Sequence, residues 1–258
     1  MNNFLNPAHN LVITGMIPAL RTIPITGLLV EENGVNALHL AAAAENVNAI
    51  MLIAERFREN DISINIPDAN GNTILHHIGA FTEEDDAAVI HTLLGMMINL
   101  YGANITVQNN AGDTALHFAI YYSNQAVATY LIHTQLLAAI DTGLHPRIAH
   151  LLIRNNIGYN PLHAAVETLV HLQDNDDRLA IRNIIIQFLT VMEPQDLNEL
   201  TNDQNNETAL DIANDLDLTD PINLQVRGML IARQARGVSP ATARRSPTAH
   251  MNYIDDEI

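Results

Sequence analysis

The sequence contains twelve His residues, whose side chains can bind metal ions or transfer protons near neutral pH. Four of them recur at the same place in a short repeated phrase: His39, His76, His117 and His163. His76 and His77 are adjacent, so on a helix their side chains point in different directions. We therefore expect structural or surface His residues, with neither a metal site nor a cofactor.

Carboxylates are concentrated in two places, residues 83–86 and the group Asp174, Asp176 and Asp177. Both groups precede an amphipathic segment, where negative charge suits the N-terminal end of a helix dipole. Neither has the spaced oxygen ligands around a Gly turn that calcium requires. The sequence also lacks Cys, a Gly-x-Ser-x-Gly motif and a Gly-rich phosphate loop. We therefore expect no catalytic residues and a protein that is not an enzyme.

A six-residue phrase recurs five times, with Leu-His at its centre in four copies and Leu-Asp in the fifth. The copies are 36–41, 73–78, 114–119, 160–165 and 208–213. Two residues before each phrase lies a residue that tolerates the left-handed backbone of a tight turn: Gly34, Gly71, Gly112, Gly158 and Asn206. Thr or Asn at the first position of the phrase suits a helix N-cap. We therefore expect helices to begin near residues 36, 73, 114, 160 and 208, each followed by an antiparallel second helix.

This pattern resembles the ankyrin repeat, in which a turn Gly precedes Thr-Pro-Leu-His-x-Ala. The resemblance covers about residues 31–235. The copies are spaced more widely than the usual ~33 residues, which indicates insertions, and only Pro161 supplies the signature Pro. The resemblance implies an all-α ankyrin-repeat solenoid of about five helix-turn-helix repeats with insertions and helical caps. It also implies that the signature His joins the turn to neighbouring backbone by hydrogen bonds.

Three regions follow from this pattern. We expect an N-terminal helical cap in residues 1–30, the repeat domain in residues 31–237, and a disordered C-terminal tail in residues 238–258, which has no apolar periodicity. No apolar run approaches the ~18 residues that cross a bilayer, and the first residues lack the basic region of a secretory signal. We therefore expect no membrane partner and a cytoplasmic protein.

The charge of the chain narrows the choice of partner. Its formal net charge is −17, so binding to nucleic acid is not expected, and a protein with a basic surface is the better candidate. All 12 basic residues are Arg, although Lys is usually common and is the acceptor for ubiquitin. The missing Lys, with abundant Asn and Ile, resembles the composition of ankyrin-type effectors that intracellular bacteria deliver into host cells. This similarity predicts secretion into a host-cell cytosol.

Candidate binding residues follow from the ankyrin resemblance, because partner contacts in that family usually come from hairpin tips and the exposed ends of first helices. The position just after the turn residue includes Asn72, Asp113 and Tyr159, and the ninth and tenth positions include Phe81, Tyr121 and Tyr122. Tyr is enriched in binding hot spots because it combines large area with a polar tip. We predict that these residues form a protein-binding stripe on the concave face. The alternative is that one or two of the rings fill gaps beside the insertions.

We expect a non-enzymatic interaction module, acting as an adaptor, an inhibitor or a regulator, that is monomeric when unbound. Two alternatives stay open at this point. One is an enzyme whose site lies on the inserted segments, roughly 134–153 and 169–182. The other is a purely structural scaffold, which a polar and featureless groove would favour.

Overall fold

The computed structural model describes residues 6–32, 34–82, 86–141, 149–194, 196–198, 201 and 205–234. Five pairs of helices follow an N-terminal group of three short helices, and no strand occurs in these ranges beyond one bridge between Glu32 and Val35. The N-terminal group consists of α1 (Pro7–Ile13), α2 (Ile17–Leu20) and α3 (Ile25–Leu28). The pairs, which form repeats 1 to 5, are α4 (Ala37–Ala43) with α5 (Val47–Glu59), α6 (Ile74–Gly79) with α7 (Ala87–Asn99), α8 (Ala115–Tyr121) with α9 (Gln125–Asp141), α10 (Pro161–His171) with α11 (Asn175–Val191), and α12 (Ala209–Ala213) with α13 (Pro221–Gln234).

Each first helix begins where the repeated phrase predicts, because the phrase contains its own cap. The N-cap residues are Asn36, Thr73, Thr114, Asn160 and Thr208. In every case the side chain three residues later, His or Asp, accepts the N–H of the cap residue in a capping box. The turn residues before the caps have positive φ, from +50° at Asn206 to +92° at Gly158. The predicted helix starts and the five helix pairs are confirmed.

The signature His residues also join neighbouring repeats, as the resemblance implies. In repeat 2, the N–H of Thr73 donates to Nδ1 of His76 at 3.0 Å, and Nε2 of His76 lies 3.0 Å from the carbonyl of Asp113 in the next hairpin. His117 makes the corresponding contact to the carbonyl of Tyr159 at 3.1 Å. A neutral ring with its proton on Nε2 satisfies both contacts. Burial lowers the pKa of both His76 and His117 to about 4, which favours this neutral form.

The core runs from repeat to repeat without a break, as expected when no single repeat can bury its own apolar face. The first helices contribute small and branched side chains, while the second helices contribute longer runs such as Ile50, Ile53 and Phe57 of α5. Gly79 shows how closely the helices approach, because a Cβ there would lie 2.9 Å from the carbonyl of Ala115. This close stacking aligns the first helices side by side, and it fixes which of their residues face outward.

Helices α1–α3 lie within residues 1–30, and the five helix pairs lie within residues 31–237; the division into a cap and a repeat domain stays a prediction. The tail proposed for residues 238–258 lies outside the described residues. No helix in the described part of the chain is both long enough and apolar enough to cross a membrane.

Candidate protein-binding surface

The six predicted contact residues lie in three different environments. Phe81 is 1% exposed, so its predicted place on the binding surface is wrong. The reason is the length of its helix: α6 ends at Gly79 and its C-cap is Ala80, so the backbone has already left the helix when it reaches Phe81. The ring of Phe81 packs in the core, and the backbone carbonyl of Phe81 accepts a hydrogen bond from Asn124 Nδ2 at 2.9 Å.

The hairpin positions face a ladder of amide side chains and not solvent. Three residues before Gly71, Gly112 and Gly158 lie Asp68, Asn109 and Asn155. In each case the carboxylate or amide oxygen accepts the backbone N–H of the residue just after the Gly, at 2.8–3.0 Å. Successive hairpins are also joined, because Asn109 Nδ2 donates to Asn72 Oδ1 at 2.8 Å and Asn155 Nδ2 donates to Asp113 Oδ1 at 2.9 Å.

This ladder corrects the expectation for the three hairpin positions. Asn72, Asp113 and Tyr159 are all buried, so they hold hairpins together and offer little side-chain area to a partner. Burial raises the pKa of Asp113, although the hydrogen bonds from Asn155 and Tyr121 act in the opposite direction. Asp113 is therefore not the solvent-exposed rim carboxylate that its sequence position indicates.

Tyr121 belongs partly to this ladder and partly to the surface. Its hydroxyl donates to Asp113 Oδ1 at 3.2 Å and accepts from Asn155 Nδ2 at 3.1 Å, while its ring is half-buried. The three polar groups form a closed triangle between the hairpins of repeats 3 and 4. Tyr121 thus fixes the position of the outward end of α8.

Tyr122 is the one of the six predicted contact residues whose side chain is largely exposed to solvent. It is the C-cap residue of α8 and is 53% exposed. Its ring lies 6.1 Å from that of Phe118, one helical turn earlier, and Phe118 in turn packs edge-to-face on His76 of repeat 2 at 5.3 Å. The exposed ring is therefore backed by two further rings, which restricts its motion and lowers the entropy lost on binding.

Sequence reasoning missed Phe118, Asn109 and Asn155. The two Asn residues carry a readable signal, since Asp or Asn stands three residues before Gly71, Gly112 and Gly158. A side-chain oxygen at that place is well suited to accept backbone N–H groups of a tight turn. Phe118 is the variable residue of the repeated phrase, and its exposure depends on the neighbouring repeat.

The groups considered for chemistry have structural roles in the part of the chain that is described. Asp86 caps α7 by accepting the N–H of Ala88, and Asp174 caps α11 by accepting from Asp176 and Asp177. No group of three His, Asp or Glu side chains that could hold a metal ion occurs among the described residues. Residues 83–85 lie outside them.

The segments proposed for an enzyme site are partly regular structure. Residues 169–182 form the end of α10 and the beginning of α11, and residues 149–152 form a short 3₁₀ helix. Residues 134–141 of the first segment belong to α9, and residues 142–148 lie outside the described residues. A surface groove between α5 and α7 is lined by Val47, Met51, Val89, Thr92 and Met96, and none of these side chains titrates.

Helix pairs stacked in register, with hairpins joined along one edge, define a helical-repeat solenoid. No family model matches the sequence, and no curated protein is significantly similar to it. Solved structures are similar in fold. An ankyrin repeat domain from Acinetobacter baumannii AYE has a TM-score of 0.60 at 18% identity, over 88% of this chain and 97% of that one.

Two further solved structures agree with this result. A second ankyrin repeat protein has a TM-score of 0.57 at 14% identity, over 88% of this chain and 96% of that one. The ankyrin repeat domain of Bcl-3, of the IkappaB protein family, has a TM-score of 0.58 at 16% identity, over 89% of this chain and 84% of that one. The chain therefore has the ankyrin-repeat fold, and the predicted fold class is confirmed.

Proposed function

We propose that this protein is a non-enzymatic binding module that recognises another protein through the surface around Tyr122. The observation that carries the proposal is the exposed ring of Tyr122, held by Phe118 at the end of α8. A large aromatic side chain that is exposed but already ordered is the kind of residue that dominates binding energy at protein interfaces. The ankyrin-repeat fold of the chain supports the same role.

The surface around Tyr122 favours a partner with basic side chains. The loops between first and second helices in repeats 2 and 4 flank that of repeat 3. Their exposed residues include Asp86 and Asp174, and exposed Asp176 follows in the first turn of α11. Together with the net charge of −17, these carboxylates would steer a basic partner toward the surface and raise the association rate more than the affinity. Nucleic acid is disfavoured by the same charge.

The role of such a module is that of an adaptor, an inhibitor or a regulator, because binding is its only activity in this proposal. The absence of Lys supports a further step, in which the module acts in the cytosol of a host cell after secretion by a bacterium. A chain without Lys side chains lacks the usual acceptors for ubiquitin there. Capture of a partner from eukaryotic lysate but not from bacterial lysate would support this step.

The proposal is tested by quantitative affinity capture with the full chain and its Tyr122→Ala variant as baits. We expect the variant to lose at least ~2 kcal/mol of binding, or roughly 30-fold in Kd, because truncation removes the central ring. Its melting temperature should not change, since the ring is largely exposed. Leu100→Ala is the matched control, because Leu100 is 51% exposed but lies at the end of α7.

The control should retain the partner with its original Kd. If Tyr122→Ala retains every partner with unchanged affinity, the proposed surface is wrong and another surface binds. If no protein is captured specifically by the unmodified chain from either lysate, the proposal of a binding module itself fails.

A further inference from the structure

His77 has one ring nitrogen that no group in the described part of the chain binds. Its Nε2 lies 3.0 Å from Oδ2 of Asp68, but its Nδ1 has no hydrogen-bond partner there and is not buried. The side chain of His77 is 20% exposed. The signature residues His39 and His76 differ, because each uses both ring nitrogens in hydrogen bonds. Nδ1 of His77 is therefore open to a partner.

Asp68 determines which nitrogen carries the proton when the ring of His77 is neutral. Burial acts to raise the pKa of Asp68, but hydrogen bonds from His77 and from two backbone N–H groups lower it to about 2, so the carboxylate is ionised. An ionised carboxylate only accepts hydrogen bonds, so the neutral ring carries its proton on Nε2. Nδ1 is then an acceptor, and the negative charge behind the ring raises its basicity.

His77 lies beside the aromatic rings of the Tyr122 surface. It occupies the fifth position of the repeated phrase, as Phe118 does on the neighbouring first helix. Phe118 packs edge-to-face on His76, the residue just before His77, and its ring also lies beside that of Tyr122. The step from one packed helix to the next is about 10 Å, so a partner that covers the Tyr122 ring can also reach Nδ1 of His77.

The described residues around His77 supply no basic side chain for this acceptor. The five first helices contain no Arg, neither do the connecting segments 60–73 and 100–114, and the chain has no Lys. Asp61 and Asp68 lie in the first of these segments, and the net charge of the whole chain is −17. The resulting negative potential favours a donor that carries positive charge.

We propose that Nδ1 of His77 accepts a hydrogen bond from an Arg or Lys side chain of the protein partner, and that His77 thereby makes the Tyr122 surface specific for basic partners. This inference rests on the proposed function, because it requires a partner on that surface. Hydrogen bonds in which one group is charged are stronger than neutral ones. Tyr122 would supply most of the binding area, while His77 would distinguish partners by their charge.

The state of the ring is tested first, by NMR of the full chain at pH 8 with isotope-labelled imidazole groups. The shifts of the ring nitrogens should show a neutral His77 with its proton on Nε2, and the His77→Gln variant identifies which signals belong to this residue. A ring that is protonated at pH 8, or that carries its proton on Nδ1, overturns the proposal, because Nδ1 would then be a donor.

The second test selects peptides with the full chain from a displayed library of random peptides at pH 8, and then measures their affinity for the His77→Gln variant. Gln places its amide nitrogen about where Nε2 of His lies, so it can still donate to Asp68, but it has no acceptor at the place of Nδ1. We expect the peptides to share an Arg or a Lys and to bind the variant at least about tenfold more weakly. The free energy of unfolding of the variant should stay close to that of the unmodified chain.

His91→Gln is the matched control. His91 is also half-buried, and its Nε2 lies 3.1 Å from the carbonyl of Ala126, but it belongs to the second helix α7 and not to the Tyr122 surface. This variant should bind the selected peptides with the original Kd. A second measurement replaces the shared Arg or Lys of a peptide with Met, which should weaken binding to the unmodified chain but not to His77→Gln.

The outcomes separate this inference from the proposed function. Peptides that lose affinity for Tyr122→Ala but bind His77→Gln as tightly as the unmodified chain overturn the role of His77 and leave the Tyr122 surface standing. Peptides that bind both variants with unchanged affinity overturn both proposals. A His77→Gln variant that loses stability together with affinity, or a library that yields no specific peptide, also overturns the role of His77.

Discussion

Phe81 and Tyr122 occupy the same position in consecutive repeats, ten residues after the turn Gly, yet their environments are opposite. Phe81 is 1% exposed and belongs to the core, whereas Tyr122 is 53% exposed. The difference comes from where the first helix ends. Helix α8 continues to Tyr121 and holds Tyr122 as its cap, while α6 ends at Gly79 and releases Phe81 to turn inward. Equivalent sequence positions therefore share a surface only when the helices have equal lengths.

The largest change in the free energy of unfolding should come from lowering the pH, because buried His side chains on the first helices and beside them are neutral in the folded state. Burial lowers the pKa of His76, His117 and His150 to about 4, below the value of about 6.5 in an unfolded chain. The unfolded state therefore binds more protons below pH 6.5. Each imidazole contributes stability that is complete above pH 6.5 and is lost at up to about 1.4 kcal/mol per pH unit as the pH falls toward 4.

This prediction is checked by urea unfolding between pH 7.5 and 5. Asp113 has a raised pKa, so its contribution to the stability of the folded state increases as the pH falls. This opposes the effect of the His residues, but one Asp is set against three His. The Tyr122→Ala variant should show the same pH dependence, since its ring is on the exposed side. A free energy of unfolding that stays constant from pH 7 to pH 5 would contradict the description of these His residues as neutral and buried.

The next largest change in the free energy of unfolding is expected when the rings of Phe81 and Tyr122 are removed one at a time and the two losses are compared. Phe81→Ala should lower the free energy of unfolding by about 3–5 kcal/mol, because it leaves a cavity in a close-packed core. Tyr122→Ala should change it by no more than about 0.5 kcal/mol, as is usual for exposed positions. Thermal and denaturant unfolding of both variants measures the difference. Equal losses would mean that Tyr122 also supports the core, and its place in the binding surface would then lose its basis.

The smallest expected change in stability comes from removing a single hydroxyl group, at either of two neighbouring Tyr residues. Tyr121→Phe should cost about 0.5–1.5 kcal/mol of stability, because Asp113 and Asn155 each lose a hydrogen-bond partner. Tyr122→Phe should cost close to nothing, since no hydrogen bond of its hydroxyl is seen within the described residues. Denaturant unfolding of the two variants should separate them, and an identical free energy of unfolding would show that the triangle of Tyr121, Asp113 and Asn155 is not formed in solution.

Much of the fold follows from local sequence signals. Each repeated phrase contains a turn residue that accepts positive φ, a cap residue such as Thr114, and a side chain such as His117 that completes the capping box three residues later. These interactions lie within about seven residues of one another, so they can be read without knowledge of the neighbours. The recurrence of the phrase then predicts stacking, because one helix pair cannot bury its own apolar face.

The binding surface could be predicted only in part, because exposure depends on what lies beside a residue in the next repeat. The sequence position of Asp113 predicts an exposed residue at a hairpin tip. In the structure Asn155, 42 residues later in the next hairpin, donates a hydrogen bond to its carboxylate and covers it. Phe81 reads as equivalent to Tyr122, but the early end of α6 turns it inward. Neither result follows from composition or periodicity.

The sequence by itself determined where the first helices begin, which turns accept positive φ, and that the chain folds as a stack of helix pairs, since all of these depend on contacts between near neighbours. The tertiary structure decided which rings reach the surface. Only it shows that Phe118 supports Tyr122, or that Nδ1 of His77 has no partner in the described part of the chain. The physical reason is that burial is set by packing between repeats, whose spacing varies along this chain with each insertion.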